Sequence, residues 1–262
     1  MPLGLIGKKL GHTRVYDAKG VAVPVTIVLA GPNRVLQVKT KESDGYSAVQ
    51  LAFGAQKPQR ITRPKLGHLV KFGAASKEDL AKARETGDKP ELPAALRIRE
   101  FRDFSQEVKT GDVVGPALFA PGDFVDAIGT TKGRGFEGVV GRHSFRGGDA
   151  THGAKGWHRR SGAIGQRLFP GTVRRGMRMP GHMGQVRRTV QNLEVIQVRP
   201  DDNLLLIKGA IPGAEGDFVI LREAKKLPIA VARKRAEELR AAAEAKEKAK
   251  AAAKAPKAAA KK

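Results

Sequence analysis

Short runs rich in Val, Ile, Leu and Thr recur through the first fifty residues, at 10–16, 21–30, 34–41 and 46–53. The clusters between them, Asp17-Ala18-Lys19-Gly20, Gly31-Pro32-Asn33 and Ser43-Asp44-Gly45, hold residues that supply turn dihedrals. Four short strands at this even spacing predict a small antiparallel barrel or sandwich. From about 56 to 102 the strand pattern stops. There Ser76-Lys77-Glu78-Asp79 predicts a short helix running to Glu85, with Ser76 as N-cap and acids in the first turn. This stretch reads as an irregular or helical insertion in the β domain. Strand character returns at 124–128, 192–199, 203–208 and 217–222, with Pro200-Asp201-Asp202 turning the chain between the second and third of these. The pattern predicts a mainly β protein with an α insertion, its β domain made of 1–130 and 189–224 and interrupted by a long excursion.

The excursion, 131–188, contains 14 Gly and four of the six His of the chain, with almost no aliphatic periodicity. Such a stretch cannot bury enough apolar surface to offset its conformational entropy, so it needs a scaffold outside the protein. The segment 225–262 is different. Pro228 stands at a helix start and Ala, Glu, Lys and Arg follow, with Glu244 and Lys248 at i,i+4, which predicts a helical tail. Past about Lys250 it becomes Ala/Lys low complexity.

Charge sharpens this division. The 262 residues carry 49 Lys+Arg against 26 Asp+Glu, a net charge of +23, and an acidic polymer is the first partner this suggests. The excursion holds 13 Lys/Arg against Glu137 and Asp149, and the segment 223–262 holds 13 against 5 acids, so the rest of the chain is close to balanced at +4. The chain has no Cys, which excludes disulfides, thiolate catalysis and Cys-ligated zinc or iron–sulfur sites. No apolar run approaches the roughly 20 residues of a membrane span, and the N-terminus lacks a basic region followed by a long apolar stretch. A soluble cytoplasmic protein with no membrane partner is expected.

Gly133-Arg134-Gly135-Phe136-Glu137-Gly138 matches the glycine pattern of dinucleotide-binding turns and follows a predicted strand. The run after it is too Gly-rich for an amphipathic helix, and about 20 residues on there is Trp157-His158-Arg159-Arg160 in place of an acid for a ribose. No cofactor is expected. His143, His152, His158 and His182 lack a paired His or Cys and stand among cations, so no metal is expected either. No nucleophile, base and acid arrangement appears, and Glu137 and Asp149 are expected to form local salt bridges; catalytic residues, enzyme activity and a small-molecule substrate are not expected.

Nucleic acid accounts for more of these features at once. Arg forks bind phosphates and stack on bases, Gly permits close backbone approach, and interleaved aromatics offer faces to unpaired bases. The candidate contacts are Lys132, Arg134, Arg142, His143, Arg146, His152, Lys155, Trp157, His158, Arg159, Arg160, Arg167, Arg174, Arg175, Arg178, His182, Arg187 and Arg188. Phe136 and Phe169 are expected in a small hydrophobic cluster at the base of the excursion, whereas Trp157 has no core to join. An alternative is a DNA- or membrane-binding polybasic protein acting through its Lys/Ala tail.

Several segments together resemble one family. They are Gly11-His12-Thr13-Arg14, Gly31-Pro32-Asn33-Arg34-Val35, Asp44-Gly45-Tyr46-Ser47, Thr131-Lys132-Gly133-Arg134-Gly135-Phe136, Thr151-His152-Gly153, Gly162-Ala163-Ile164-Gly165-Gln166, Pro180-Gly181-His182-Met183-Gly184 and Asn203-Leu204-Leu205-Leu206-Ile207-Lys208-Gly209. In this order they resemble the third protein of the large ribosomal subunit, the L-three family, in its bacterial form, over roughly 4–221. The resemblance implies a six-stranded, translation-factor-like β-barrel with a long basic loop extension. It also implies binding to large-subunit rRNA near its 3′ end, a part in starting subunit assembly, neighbouring large-subunit proteins as partners, and an extension reaching toward the peptidyl transferase centre. Two positions depart from the family pattern: Trp157 at the tip, where many bacterial members have no Trp, and Leu168, where some carry a methylated Gln.

Overall fold

The computed structural model describes residues 3–17, 19–56, 60–72, 78 and 96–226. In chain order the first elements are β1 (Gly4–Tyr16), β2 (Ala22–Leu29), β3 (Asn33–Lys39), α1 (Lys41–Asp44), β4 (Ala48–Phe53) and α2 (Arg63–Lys71). Next come β5 (Arg97–Arg102), β6 (Val113–Val114), β7 (Phe124–Thr130), β8 (Gly135–Glu137) and α3 (Val139–His143). The last are β9 (Gly181–Met183), β10 (Arg187–Arg199), β11 (Leu204–Lys208) and β12 (Phe218–Glu223). Apart from Glu78, the helix expected from Ser76 to Glu85 lies outside the described residues, and so does nearly all of the expected helical tail. Among the described residues no helix is long and apolar enough to cross a membrane.

Six strands close into an antiparallel barrel in the order β1-β12-β7-β10-β11-β2, the architecture the resemblance implied. Inward residues of every strand fill it: Leu5, Val28, Val125, Ala127, Val195, Leu205, Ile207, Val219 and Leu221 are all buried. Strands have a side-chain period of two, so each needs an apolar residue only at alternate positions.

The strands expected at 34–41 and 46–53 are real but stand outside the barrel. They are β3 and β4, and with β5 and β6 they form a second sheet in the order β5-β4-β3-β6. β5 also corrects the reading of 56–102 as wholly irregular or helical. Its sequence, Arg-Ile-Arg-Glu-Phe-Arg, hides a strand because only Phe101 is buried in it. β4, by contrast, is apolar on both faces and is buried on both. Val49, Leu51 and Phe53 join the barrel core, and Ala52 turns the other way into a smaller cluster with Leu36, Ile61 and Leu69 beneath α2. The turn expected at Ser43-Asp44-Gly45 is the end of α1, with Thr40 as N-cap and Gly45 as a left-handed C-cap.

Two contacts fix this sheet on the barrel. At Gly4 a Cβ would overlap the Phe101 ring, so only glycine lets β5 lie against β1. Asn33 is fully buried at the crossing of the two sheets. Its Oδ1 accepts from the Ile6 amide at 3.2 Å, and its Nδ2 donates to the Ile6 and Ala30 carbonyls, both at 3.0 Å. On the far face of the sheet, Glu100 accepts from Lys39 at 2.7 Å and from Tyr46 at 3.0 Å. The Lys39 hydrogen bond holds the Glu100 carboxyl below the usual carboxylate range and raises Lys39 in return.

Asn33→Ala strips three buried backbone groups of their partners. It is expected to lower unfolding free energy by roughly 2–3 kcal/mol, read as a reduced denaturation midpoint at unchanged m-value.

Candidate nucleic-acid interface

The extension leaves the barrel as a continuation of two paired strands. β7 and β10 pair from Glu194 opposite Phe124 to Arg187 opposite Thr130, with a shift of register between Val190 and Leu193. Beyond them Thr131 and Val186 bond twice through the Thr131 hydroxyl, at 3.3 Å each way, and the Thr131 amide donates to the Val186 carbonyl at 3.0 Å. Gly184 has φ +76°, and a Cβ on it would meet the Lys132 carbonyl, so the strands can cross here only at glycine. Lys9 lies buried below this root, donating to the carbonyls of Ile211 at 2.9 Å and Gly213 at 3.0 Å. Burial pushes its pKa down and the charge of Lys132 adds to that shift, while Glu215 and Asp217 oppose it.

Past the root, β8 pairs with β9, and the Phe136 ring meets the His182 ring edge-on at 5.8 Å. α3 follows, so a helix does succeed the glycine pattern, contrary to expectation. It is five residues long and is held by tertiary contacts rather than by an amphipathic face. Val139 is buried, Ser144 ends the helix in the left-handed region, and Arg142 Nη1 donates to the Met179 carbonyl at 2.8 Å. His143 Nε2 lies 3.0 Å from the same oxygen.

Further out, the Gly148 amide donates to the His158 carbonyl at 3.1 Å and closes the tip. A Cβ on Gly148 would stand 3.0 Å from the Trp157 carbonyl oxygen, tighter than an ordinary contact. Arg160 lies over the Trp157 ring, 4.9 Å from its centroid, and Trp157 is 56% exposed. Together with Phe145 and Arg146 they border a small cleft of about 320 Å³. Asp149 pairs with Arg146 at 3.9 Å, both side chains almost fully exposed, a geometry that contributes little. Glu137 has no ion pair among the described residues, so the salt bridge expected of it does not form.

Sixteen of the eighteen candidate contacts are exposed. Arg142 and His143 are the exceptions, half-buried and turned inward onto Met179. The expected cluster of Phe136 and Phe169 is absent. Phe169 is 85% exposed and Phe136 69%, the latter touching only the edge of a histidine. The extension is too thin to enclose either ring. Ile164, Leu168, Val173 and Met177, none of them among the candidate contacts, are also exposed and leave apolar as well as cationic surface on this arm. Their irregular spacing gives no helical or strand signature.

An arm with this surface and a six-stranded barrel are what the resemblance implied, and comparison with known proteins decides the family. The family model described as Ribosomal protein L3 matches residues 97–247, which include the whole extension. The chain belongs to the ribosomal protein L3 family. It is 46% identical over 223 residues to the large ribosomal subunit protein uL3 of Deinococcus radiodurans, covering 85% of this chain and 95% of that one. It is 44% identical over 229 residues to the protein of the same name from Akkermansia muciniphila, covering 86% of this chain and 100% of the relative. With that of Pelotomaculum thermopropionicum the identity is 47% over 226 residues, 86% of this chain and 99% of the relative. Membership in the ribosomal protein L3 family therefore extends through both the barrel and the arm.

Gly184→Ala is expected to part β8 from β9 while leaving the barrel closed. Hydrogen exchange checks this: protection should fall at the Arg134 amide, which bonds to the Met183 carbonyl at 2.9 Å, and persist at the barrel amides.

Proposed function

We propose that this chain is a structural constituent of the large ribosomal subunit that holds large-subunit rRNA with its basic arm. The family is one of structural ribosomal components, and the chain is not an enzyme. One observation carries the reading. The segment 131–188 projects from the barrel with 13 Lys/Arg against 2 acids, and sixteen candidate contact residues face solvent with no core of their own to pack into. A surface of that kind is stabilised by a polyanion that supplies both countercharge and packing.

In this reading the β domain, 1–130 with 189–224, anchors the protein at the subunit surface, and 131–188 threads between rRNA helices. Arg159, Arg160, Arg167, Arg174, Arg175 and Arg178 bind phosphates, and Trp157 with Arg160 above it offers a stacked platform to an unpaired base. By resemblance to its family the protein binds near the 3′ end of the large rRNA, helps start subunit assembly in the cytoplasm, meets neighbouring large-subunit proteins, and directs the tip toward the peptidyl transferase centre.

If the arm contacts 6–10 phosphates, affinity for protein-free large-subunit rRNA should fall by roughly 10³–10⁵ between 50 and 200 mM salt. Filter binding across a salt series measures this, and a nearly flat response contradicts the reading. Trp157→Ala is expected to leave subunit assembly near normal on sucrose gradients while lowering peptide-bond formation and altering response to drugs that bind there. Normal values for both would remove the stacking role.

A further inference from the structure

A second basic surface lies away from the tip, where the four-stranded sheet meets the barrel. The two enclose an open cleft of about 1480 Å³ that runs to the root of the arm. β5 is the edge strand of its sheet, bonded only to β4, and its alternation puts Arg97 and Arg99 on the same face as Phe101, toward the barrel. Arg97 lies over the Phe218 ring of β12, 5.0 Å from its centroid, which holds its guanidinium at the cleft. Lys132 and Arg187 stand on the opposite side at the root, and Lys225 at the end of the described chain.

The lining holds seven Lys/Arg against four Asp/Glu, so cations are in excess. Glu100 is engaged on its far face by Lys39 at 2.7 Å, and the Asp217 carboxylate accepts from the Ala214 amide at 2.7 Å. By contrast Arg97, Arg99, Lys132, Arg187 and Lys225 form no ion pair with any described residue. Their charges crowd: beyond the effect of burial, Arg97 lowers the pKa of Lys65, as Lys132 does that of Lys9. One charged residue is enough to protect an edge strand from pairing, so edge protection does not account for this concentration. Residues 227–262 add eleven Lys/Arg against four Glu, so the net charge of the chain beyond Lys226 has the same sign as the cleft.

We infer that this cleft is a second RNA-docking surface, in which Arg97 and Arg99 of β5, with Lys225, bind the phosphate backbone of an rRNA segment continuous with the one held at the root of the arm. It rests on the rRNA-binding reading above and adds residues outside 131–188 to it. Arg forks suit phosphate oxygens two at a time, and the fixed strand spacing of Arg97 and Arg99 presents two forks along one line.

The test uses full-length protein and protein-free large-subunit rRNA. The triple variant Arg97→Gln, Arg99→Gln, Lys225→Gln should lower the slope of log affinity against log salt by about 2–3. A hydroxyl-radical footprint should lose one protected rRNA patch and keep the patches given by the arm. Arg97→Lys with Arg99→Lys should retain most of the slope. In wild-type protein, rRNA should slow hydrogen exchange at 97–102 as well as within 131–188, a readout that does not require any variant to fold. Slope, footprint and exchange at 97–102 all unchanged, with 131–188 still protected, would overturn the cleft and leave the arm. The same would follow if the triple variant bound rRNA normally but failed to enter subunits, because the occupant would then be a protein. Wild-type protein that bound rRNA without salt dependence would overturn both readings.

Discussion

A closed barrel can release a long arm only where two neighbouring strands run past its rim together, and here that pair is β7 and β10. Their register carries the backbone hydrogen bonds outward from Phe124 and Glu194 to Thr130 and Arg187, and the Thr131–Val186 bonds extend them one step further. The arm beyond has little else to hold it. β8 and β9 are three residues each, and α3 has five. The two barrel strands therefore set the direction in which 13 cationic side chains are presented. Closure also leaves the barrel without free edges, so its rigidity does not depend on the arm being bound.

The same economy explains the second sheet. β4 is apolar at nearly every position, a composition that a half-exposed barrel strand would not tolerate, and the chain places it between the barrel core on one face and α2 on the other. Asn33 makes that packing specific. A buried amide with all three of its hydrogen bonds made to Ile6 and Ala30 admits one placement of β3 against β1. The position of β5, and with it the cleft, follows from this docking.

Charge is distributed so that the fold and the binding surfaces do not compete. The two fully buried charges among the described residues each have a partner within the protein, Asp126 with Arg222 at 3.1 Å and Lys9 with two carbonyls, and half-buried Lys39 pairs with Glu100. Those of the arm are exposed apart from Arg142 and Glu137, and the one ion pair among them, Arg146 with Asp149, is long and solvated. Packing of 131–188 against itself is limited to a few ring edges and carbonyl contacts, so countercharge and apolar contact must both come from outside.

The strands at 10–16, 21–30 and 124–128 and the three after 190 were legible because each is a short apolar run between turn residues, and that pattern is local. So was the arm, since glycine content and charge need no neighbours to be read, and the ordered motifs carried the family and its six-stranded barrel. Which strands share a sheet was not local. The 34–41 and 46–53 runs look like the others, and only the burial of both faces of β4 by distant elements sends them to a separate sheet. β5 escaped notice because its arginines face a cleft instead of a core, and α3 because two side chains bonded to Met179 stabilise it where periodicity does not. Sequence determined composition, sign of charge and local period; the tertiary structure decided which residues those periods face.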